Sequence, residues 1–114
     1  IKDAKKNGLL SFSLNDLDTF LPHCDLLINT TSVGHKESVN ITPVPALQLA
    51  KAKKTMVVYD IIYDPIKTVL LRDSEKVGLH TINGLRMNLI QAVLAYSHTN
   101  PTSLVKEEIY RIMR

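Results

Sequence analysis

Polar and glycine-containing segments follow three of the apolar runs in this sequence. They span residues 30–34, 60–64 and 83–84, and they carry hydroxyl, carboxyl, phenol and amide groups next to glycines. Such side chains can hydrogen-bond a polar ligand, and glycine lets the backbone approach it closely. In parallel α/β sheets, ligands bind beyond the carboxyl ends of the strands. We therefore predict that these segments form a small-molecule site.

A long predicted helix over residues 84–96 adds a second group of candidates. Gly84, Met87 and Gln91 are spaced i, i+3 and i+7, so they share one face of this helix. Other apolar residues form a second stripe, which predicts a helix buried between two bodies. Gln91 would then lie on a mostly buried face, where its amide needs hydrogen-bonding partners. A polar ligand is one candidate partner.

The segments that position these residues alternate between strands and helices. We predict strands over 9–12, 25–29, 55–59 and 79–82, helices over 15–21, 46–51, 68–76, 84–96 and 102–113, and a polar loop over 30–45. The run over 55–59 is apolar on both faces, as in a strand covered by helices on both sides. This alternation predicts an α/β fold with a parallel sheet. Gly8 would end a helix over 1–7, and Thr102 or Ser103 would cap the last helix.

Composition indicates a single globular domain of 114 residues, with 45% hydrophobic and 22% charged residues. No apolar run approaches the roughly 20 residues of a membrane span. Cys24 is the only cysteine, so an internal disulfide is excluded, and no Cys/His spacing predicts a metal site. The net charge of +3 and the 5% aromatic share do not indicate nucleic-acid binding. A cytoplasmic location fits these features.

Three blocks of the sequence carry a family resemblance. The first is DLLINTTSVG over 25–34, the second is DIIYDP over 60–65 with Thr68, Leu70, Leu71 and Gly78 behind it, and the third is NGLRM over 83–87 with Gln91 and Ala92 behind it. In order and spacing these blocks resemble the shikimate dehydrogenase family, which includes the quinate/shikimate dehydrogenases. The resemblance implies the latter portion of a Rossmann-type cofactor domain. Its fold would be a partial parallel sheet with flanking helices and a C-terminal helix pair.

The resemblance also implies an activity and a set of site residues. Members of the family are oxidoreductases that reduce 3-dehydroshikimate to shikimate with NADPH, in the chorismate pathway of aromatic amino-acid biosynthesis. The positions that contact substrate in the family correspond to Tyr63 and Gln91. The positions on the nicotinamide side of the NADP site correspond to Ile61, Gly84, Met87, Thr31 and Ser32.

The same resemblance implies that residues 1–114 are the C-terminal part of such an enzyme. The family's catalytic Lys and Asp lie in an N-terminal substrate domain, so no catalytic residue is expected in this chain. The glycine-rich βαβ unit that seats the pyrophosphate also has no counterpart in this sequence. We therefore expect the chain alone to be inactive. Without the central strands of a Rossmann sheet, an apolar sheet edge would be exposed and would favour self-association.

Departures from the family pattern leave the substrate open. His35 stands where Met is usual, and Asn88 stands where Leu is usual. A quinate/shikimate dehydrogenase that uses NAD or NADP is one alternative, and a non-catalytic binding or interaction module is another. Tyr63 has a simpler interpretation as a core tyrosine whose hydroxyl bonds to backbone. Asp60 has a simpler interpretation as a turn or N-cap residue without a catalytic role.

Overall fold

A three-stranded parallel sheet lies at the centre of the fold. The computed structural model describes residues 6–100 and 106–113. Its strands are β1 (Leu26–Asn29), β2 (Val57–Asp60) and β3 (His80–Ile82), in the spatial order β1-β2-β3. Because β2 pairs in parallel with both neighbours, the carboxyl ends of all three strands lie at the same end of the sheet. The prediction of an α/β fold with a parallel sheet is confirmed.

Helices connect and flank these strands. In chain order they are α1 (Leu17–Phe20), α2 (Ala46–Leu49), α3 (Val69–Lys76), α4 (Leu85–Thr99) and α5 (Lys106–Met113), with short 3₁₀ turns at Leu14–Asp16, Leu21–His23 and Lys36–Ser38. Each helix predicted between residues 15 and 113 overlaps one of these helices, and the predicted loop after β1 is confirmed apart from its 3₁₀ turn. Within the described ranges, no helix has the length and apolar character needed to cross a membrane.

The hydrophobic core lies between one face of the sheet and the helices α2 and α3. Val58 contributes from β2 and Met56 from the residue before it. Leu49 contributes from α2 and Leu70 from α3. Each of these four side chains is at most 1% exposed. Full burial of such side chains stabilises the fold by about 2 kcal/mol each. This packing holds β2, the central strand, against the two helices.

Side-chain contacts hold α3 at both ends. The Thr68 hydroxyl accepts a first-turn backbone N–H and caps the helix, as a residue before the first turn should. Gly78 follows the last turn with a φ of +83°, in the region that favours glycine. Glu75 pairs with Lys67 and accepts a hydrogen bond from the Thr81 hydroxyl on β3 at 3.0 Å. The Lys67 and Thr81 hydrogen bonds hold the pKa of Glu75 below its usual value.

The opposite face of the sheet is largely open. Leu26 and Ile28 on β1 are 50% and 44% exposed, and Ile82 on β3 is 53% exposed. The strand predicted over 25–29 is confirmed, and one of its faces is exposed. The physical reason is that β1 is an edge strand, and no helix within the described residues covers its second face.

The segment over residues 9–12 does not form the predicted strand. Leu10 is 86% exposed, and the Phe12 ring packs against Phe20 with centroids 4.1 Å apart. Within the described part of the chain, no strand pairs with this segment. The prediction is wrong because a short apolar run acquires strand structure only from a neighbour that completes its backbone hydrogen bonds.

Helix α4 is less buried than its two apolar stripes predict. Val93 is its only buried residue, whereas Leu85, Ile90 and Leu94 are exposed. Within the described residues α4 packs mainly on α5, so the expected second body does not contact it. The prediction that Gln91 lies on a mostly buried face is therefore wrong. Its side chain is exposed, and its amide Nε2 donates to Asn88 Oδ1 at 2.8 Å.

The caps predicted near the two ends of the chain fall partly outside the described residues. Gly8 has a φ of +71°, as expected for a residue that ends a helix. Residues 1–5, where that helix was predicted to run, lie outside the described residues. The predicted N-cap residues Thr102 and Ser103 lie outside them as well, and α5 begins at Lys106.

Candidate functional site

The carboxyl ends of β1 and β2 are joined by a direct side-chain contact. Asn29 Nδ2 donates to Asp60 Oδ1 at 3.1 Å, and the two residues are 5% and 0% exposed. Each is the last residue of its strand, and the strand register pairs one with the other. One residue further on, the Ile61 N–H donates to the Asn29 carbonyl at 3.2 Å. The loops after these strands therefore leave the sheet in a defined relation to each other.

Asn29 also shapes the loop over residues 30–34. Its Oδ1 accepts hydrogen bonds from the Thr31 N–H at 3.0 Å and from the Thr31 hydroxyl at 2.7 Å. Its Nδ2 donates to the Val33 carbonyl at 3.1 Å. These contacts fold the loop back on the strand end. Thr31 and Ser32 remain exposed at its tip.

Gly84 brings the start of α4 against the loop after β2. Its N–H donates to the Ile62 carbonyl at 3.1 Å, and a Cβ built on it would lie 1.8 Å from the Ile61 carbonyl oxygen. The φ of Gly84 is −78°, which any residue adopts, so the close approach of the two backbones is what requires glycine. Asn83 supports the same turn, because its Oδ1 accepts from the Leu85 N–H at 3.2 Å.

A cavity of about 280 Å³ opens where the loops after β1 and β2 meet. Its lining combines hydroxyl, imidazole, apolar and phenol groups from Thr31, Ser32, His35, Ile61, Ile62 and Tyr63. Four of the predicted site residues thus come together, two from each loop. Gly84 adjoins this cavity through its contact with Ile61.

Tyr63 occupies a position between two spaces. It lines the 280 Å³ cavity and also a neighbouring open space of about 690 Å³, which Asn83 and Arg86 line from the start of α4. Its side chain is 45% exposed, and its hydroxyl makes no hydrogen bond within the described residues. The interpretation of Tyr63 as a core tyrosine bonded to backbone is therefore wrong. Its hydroxyl is available to a ligand.

Met87 and Gln91 line a different space. They face a groove of about 390 Å³ whose other walls include Tyr59 and Ile82 on the open face of the sheet. The chain therefore does not bring Gln91 and Tyr63, the two predicted substrate contacts, into one cavity. Both residues are exposed, and their spacing depends on the turn at Gly84 from which α4 starts.

Asp60 is the residue whose place in the site the sequence interpretation missed. Its carboxyl accepts from the Asn29 amide, from the Ile62 N–H at 3.1 Å and from the Thr68 hydroxyl at 2.7 Å. The available signal was that polar residues end two successive apolar runs, since the carboxyl ends of parallel strands meet. The interpretation of Asp60 as a turn residue is confirmed by the hydrogen bond from the Ile62 N–H, and its side chain is 0% exposed.

No metal centre accompanies this arrangement in the part of the chain that the structure describes. There, no three His, Cys, Asp or Glu side chains are grouped so that they could hold a metal ion. The site consists instead of hydroxyl, phenol, imidazole, carboxyl and apolar groups on loops that a buried polar network supports. Such a lining can bind a polar ring with an apolar face.

A parallel sheet with flanking helices and ligand-sized space at its carboxyl edge is a Rossmann-like α/β fold. No model of a known protein family matches the chain. Individual proteins do match it. The chain is 44% identical to a shikimate dehydrogenase (NADP(+)) of Bacillus licheniformis over 86 residues, which cover 75% of this chain and 30% of that protein.

A shikimate dehydrogenase (NADP(+)) of Methanococcus vannielii is 33% identical over 115 residues, covering 97% of this chain and 40% of the relative. The crystal structure of shikimate 5-dehydrogenase from Thermus thermophilus, in complex with NADP(H) and shikimate, superposes with a TM-score of 0.71 at 26% identity, covering 97% of this chain and 40% of that one. The chain belongs to the shikimate dehydrogenase family, and it spans 30% to 40% of the length of these relatives.

Proposed function

We propose that the protein containing this chain is an NADP-dependent shikimate dehydrogenase, which reduces 3-dehydroshikimate to shikimate. The observation that carries the proposal is the convergence of Thr31, Ser32, Ile61 and Tyr63 on one cavity at the carboxyl ends of parallel strands. The relative from Thermus thermophilus, which binds NADP(H) and shikimate, supports the same assignment. The lone Cys24, which can form no internal disulfide, supports a cytoplasmic location in this proposal.

The cavity fits the nicotinamide end of the cofactor, because it sets apolar walls beside hydroxyl groups. When bound, NADPH supplies the hydride. In the proposal Ile61 offers apolar surface to the ring, and the Thr31–Ser32 loop offers polar groups. Met87, which lines the separate groove beside α4, is assigned to the nicotinamide side by the family resemblance alone. Gly84 keeps the start of α4 close enough to complete this side.

Substrate recognition is assigned to Tyr63 and Gln91. The Tyr63 hydroxyl and the Gln91 amide are both exposed, and each can hydrogen-bond a polyhydroxylated acid. The residues that transfer a proton and seat the pyrophosphate have no motif in this sequence. The proposal therefore treats residues 1–114 as the C-terminal part of the cofactor domain, inactive alone, with the glycine-rich unit and the substrate domain supplied from outside it.

The test of this assignment is the kinetics of Tyr63→Phe and Gln91→Ala in the gene product that contains this chain. Each variant removes one hydrogen-bonding group, so we expect the KM for shikimate to rise about tenfold while kcat changes less. NADPH formation from NADP⁺ and shikimate is the readout. Tyr96→Phe, a change to an exposed tyrosine further along α4, is the matched control and should leave both constants within about twofold.

Two further outcomes would contradict the proposal. A wild-type gene product that oxidises quinate but forms no NADPH from shikimate would show that the substrate is wrong. The isolated chain should give no heat with NADP⁺ or shikimate by calorimetry, even at millimolar ligand. Micromolar binding of either ligand to the chain alone would instead favour a stand-alone binding module.

The open edge of β1 carries a second, independent expectation. Leu26 and Ile28 are apolar and about half exposed on this edge strand, so the proposal includes self-association of the isolated chain through it. Ile28→Lys places a charge on the edge and should lower the apparent mass measured by light scattering. Leu47→Lys, on the exposed side of α2, is the control and should leave the mass unchanged. A monomeric wild-type chain would contradict self-association.

A further inference from the structure

The buried carboxyl of Asp60 connects the ends of β1 and β2 with the start of α3. It accepts hydrogen bonds from Asn29 Nδ2 and the Ile62 N–H on Oδ1, both at 3.1 Å, and from the Thr68 hydroxyl on Oδ2 at 2.7 Å. The side chain is 0% exposed, and among the described residues no cation lies within ion-pair distance of it. Three neutral donors therefore hold this carboxyl, and each donor belongs to a different segment.

Each hydrogen bond to Asp60, with the segment that donates it, forms one arm of a network. The Asn29 arm leads to the loop that carries Thr31 and Ser32. Asn29 Nδ2 donates a hydrogen bond to the Asp60 carboxyl. Asn29 Oδ1 faces Thr31 and accepts hydrogen bonds from both its N–H and its hydroxyl. Asp60 and the Val33 carbonyl, which both accept from Nδ2, together orient the Asn29 amide. Because the Thr31 hydroxyl donates to Asn29, the orientation of the Asn29 amide also determines the position of the loop tip.

The Ile62 arm leads to the loop that carries Ile61 and Tyr63. A hydrogen bond from the Ile62 N–H back to Asp60 bends the chain immediately after β2. Gly84 donates its N–H to the carbonyl of the same residue at 3.1 Å, so the start of α4 rests on this bend. The third arm, from the Thr68 hydroxyl, connects Asp60 to the first turn of α3.

We propose that Asp60 is a positioning residue for the shikimate dehydrogenase reaction. It touches no ligand, and it holds the Thr31 loop and the Tyr63 loop in the one relation that forms the cavity between them. This inference rests on the proposed function and adds to it a residue and a physical route. Displacement of a binding group by about 1 Å can cost about 100-fold in rate. The effect of losing Asp60 should therefore appear in kinetics as well as in stability.

The three arms allow matched variants. Asp60→Ala removes all of them, and Asn29→Ala removes the arm to the Thr31 loop. Asp60→Asn retains one oxygen that can accept from Asn29 and Ile62. It should therefore keep much of the kcat/KM that Asp60→Ala loses. Gly78→Ala strains the backbone turn after α3, outside this hydrogen-bond network. It is the control for a merely structural role.

The test combines steady-state kinetics of the gene product with hydrogen exchange of this chain. We expect Asp60→Ala and Asn29→Ala to lower kcat/KM for NADP⁺ about 100-fold and about 10-fold, with Asp60→Asn in between the wild type and Asp60→Ala. The amides of Thr31 and Ile62 should exchange faster in Asp60→Ala at temperatures where the core amides stay protected. Gly78→Ala should lower stability but keep kcat/KM within about threefold.

Unchanged exchange of the Thr31 and Ile62 amides in Asp60→Ala would overturn the positioning role. So would a loss of kcat/KM in Gly78→Ala as large as the loss in Asn29→Ala, since the effect would then follow stability alone. Failure of the proposed function looks different. In that case the wild-type gene product forms no NADPH from shikimate, whereas the loop amides still respond to Asp60→Ala.

Discussion

Gly84→Ala is expected to destabilise the fold by about 3 kcal/mol or more. The added Cβ would lie 1.8 Å from the Ile61 carbonyl oxygen and 2.3 Å from its carbonyl carbon. Both atoms are backbone, so relief requires the start of α4 to move away from the loop after β2. That movement breaks the hydrogen bond from Gly84 to the Ile62 carbonyl. Urea unfolding followed by circular dichroism measures the loss.

Gly78→Ala separates this steric effect from the general cost of replacing a glycine. Gly78 has a φ of +83°, but nothing lies within 4 Å of a Cβ built there. Its cost is that of a left-handed backbone alone, about 1 to 2 kcal/mol. Gly84→Ala should therefore cost clearly more than Gly78→Ala, although its own φ is ordinary. Equal losses for the two variants would show that the contact between Gly84 and Ile61 does not constrain the fold.

The gene product gives this prediction a functional readout. Because Ile61 lines the proposed nicotinamide cavity, a displaced α4 start should raise the KM for NADP⁺ in Gly84→Ala. Gly78 lies at the opposite end of β3 from the site, so Gly78→Ala should leave that KM unchanged at temperatures where both variants are folded. The pair thus distinguishes a local change at the cavity from a loss of folded protein.

Local chemistry made the parallel sheet and its flanking helices predictable. Helix α3 begins after Thr68, whose hydroxyl caps it, and ends before Gly78, which has a positive φ. Threonine and glycine both have a known preference for these positions at helix ends. The polar segments after β1 and β2 were predictable as a site for the same kind of reason. Carboxyl ends of parallel strands meet, so Thr31 and Tyr63 had to approach each other.

Features that depend on distant partners were not predictable from the pattern. Residues 9–12 are apolar enough for a strand, but within the described residues no strand pairs with them. Gln91 is exposed because no other element packs on its face of α4 within the described residues. The two apolar stripes of α4 do not indicate which stripe another element covers. The contact between Asn29 and Asp60 joins residues 31 positions apart, and it required the strand register to become visible.

Leu49→Ala is expected to have the second large effect on stability, a loss of about 2 to 5 kcal/mol. Leu49 is 0% exposed at the end of α2 and belongs to the cluster that also contains Val58 of β2. Its truncation removes transfer free energy and leaves a cavity beside the central strand. Leu47→Ala is the matched control, because Leu47 lies in the same helix and is 78% exposed.

The same chemical change two residues apart should thus give opposite results, with Leu47→Ala within about 0.5 kcal/mol of wild type. Urea unfolding of both variants at equal slope is the measurement. A loss in Leu47→Ala comparable to that in Leu49→Ala would mean that the outer side of α2 is covered in solution, for example by a second copy. If Leu49→Ala alone is destabilised, α2 secures β2, and with it the strand end from which Asp60 organises both loops.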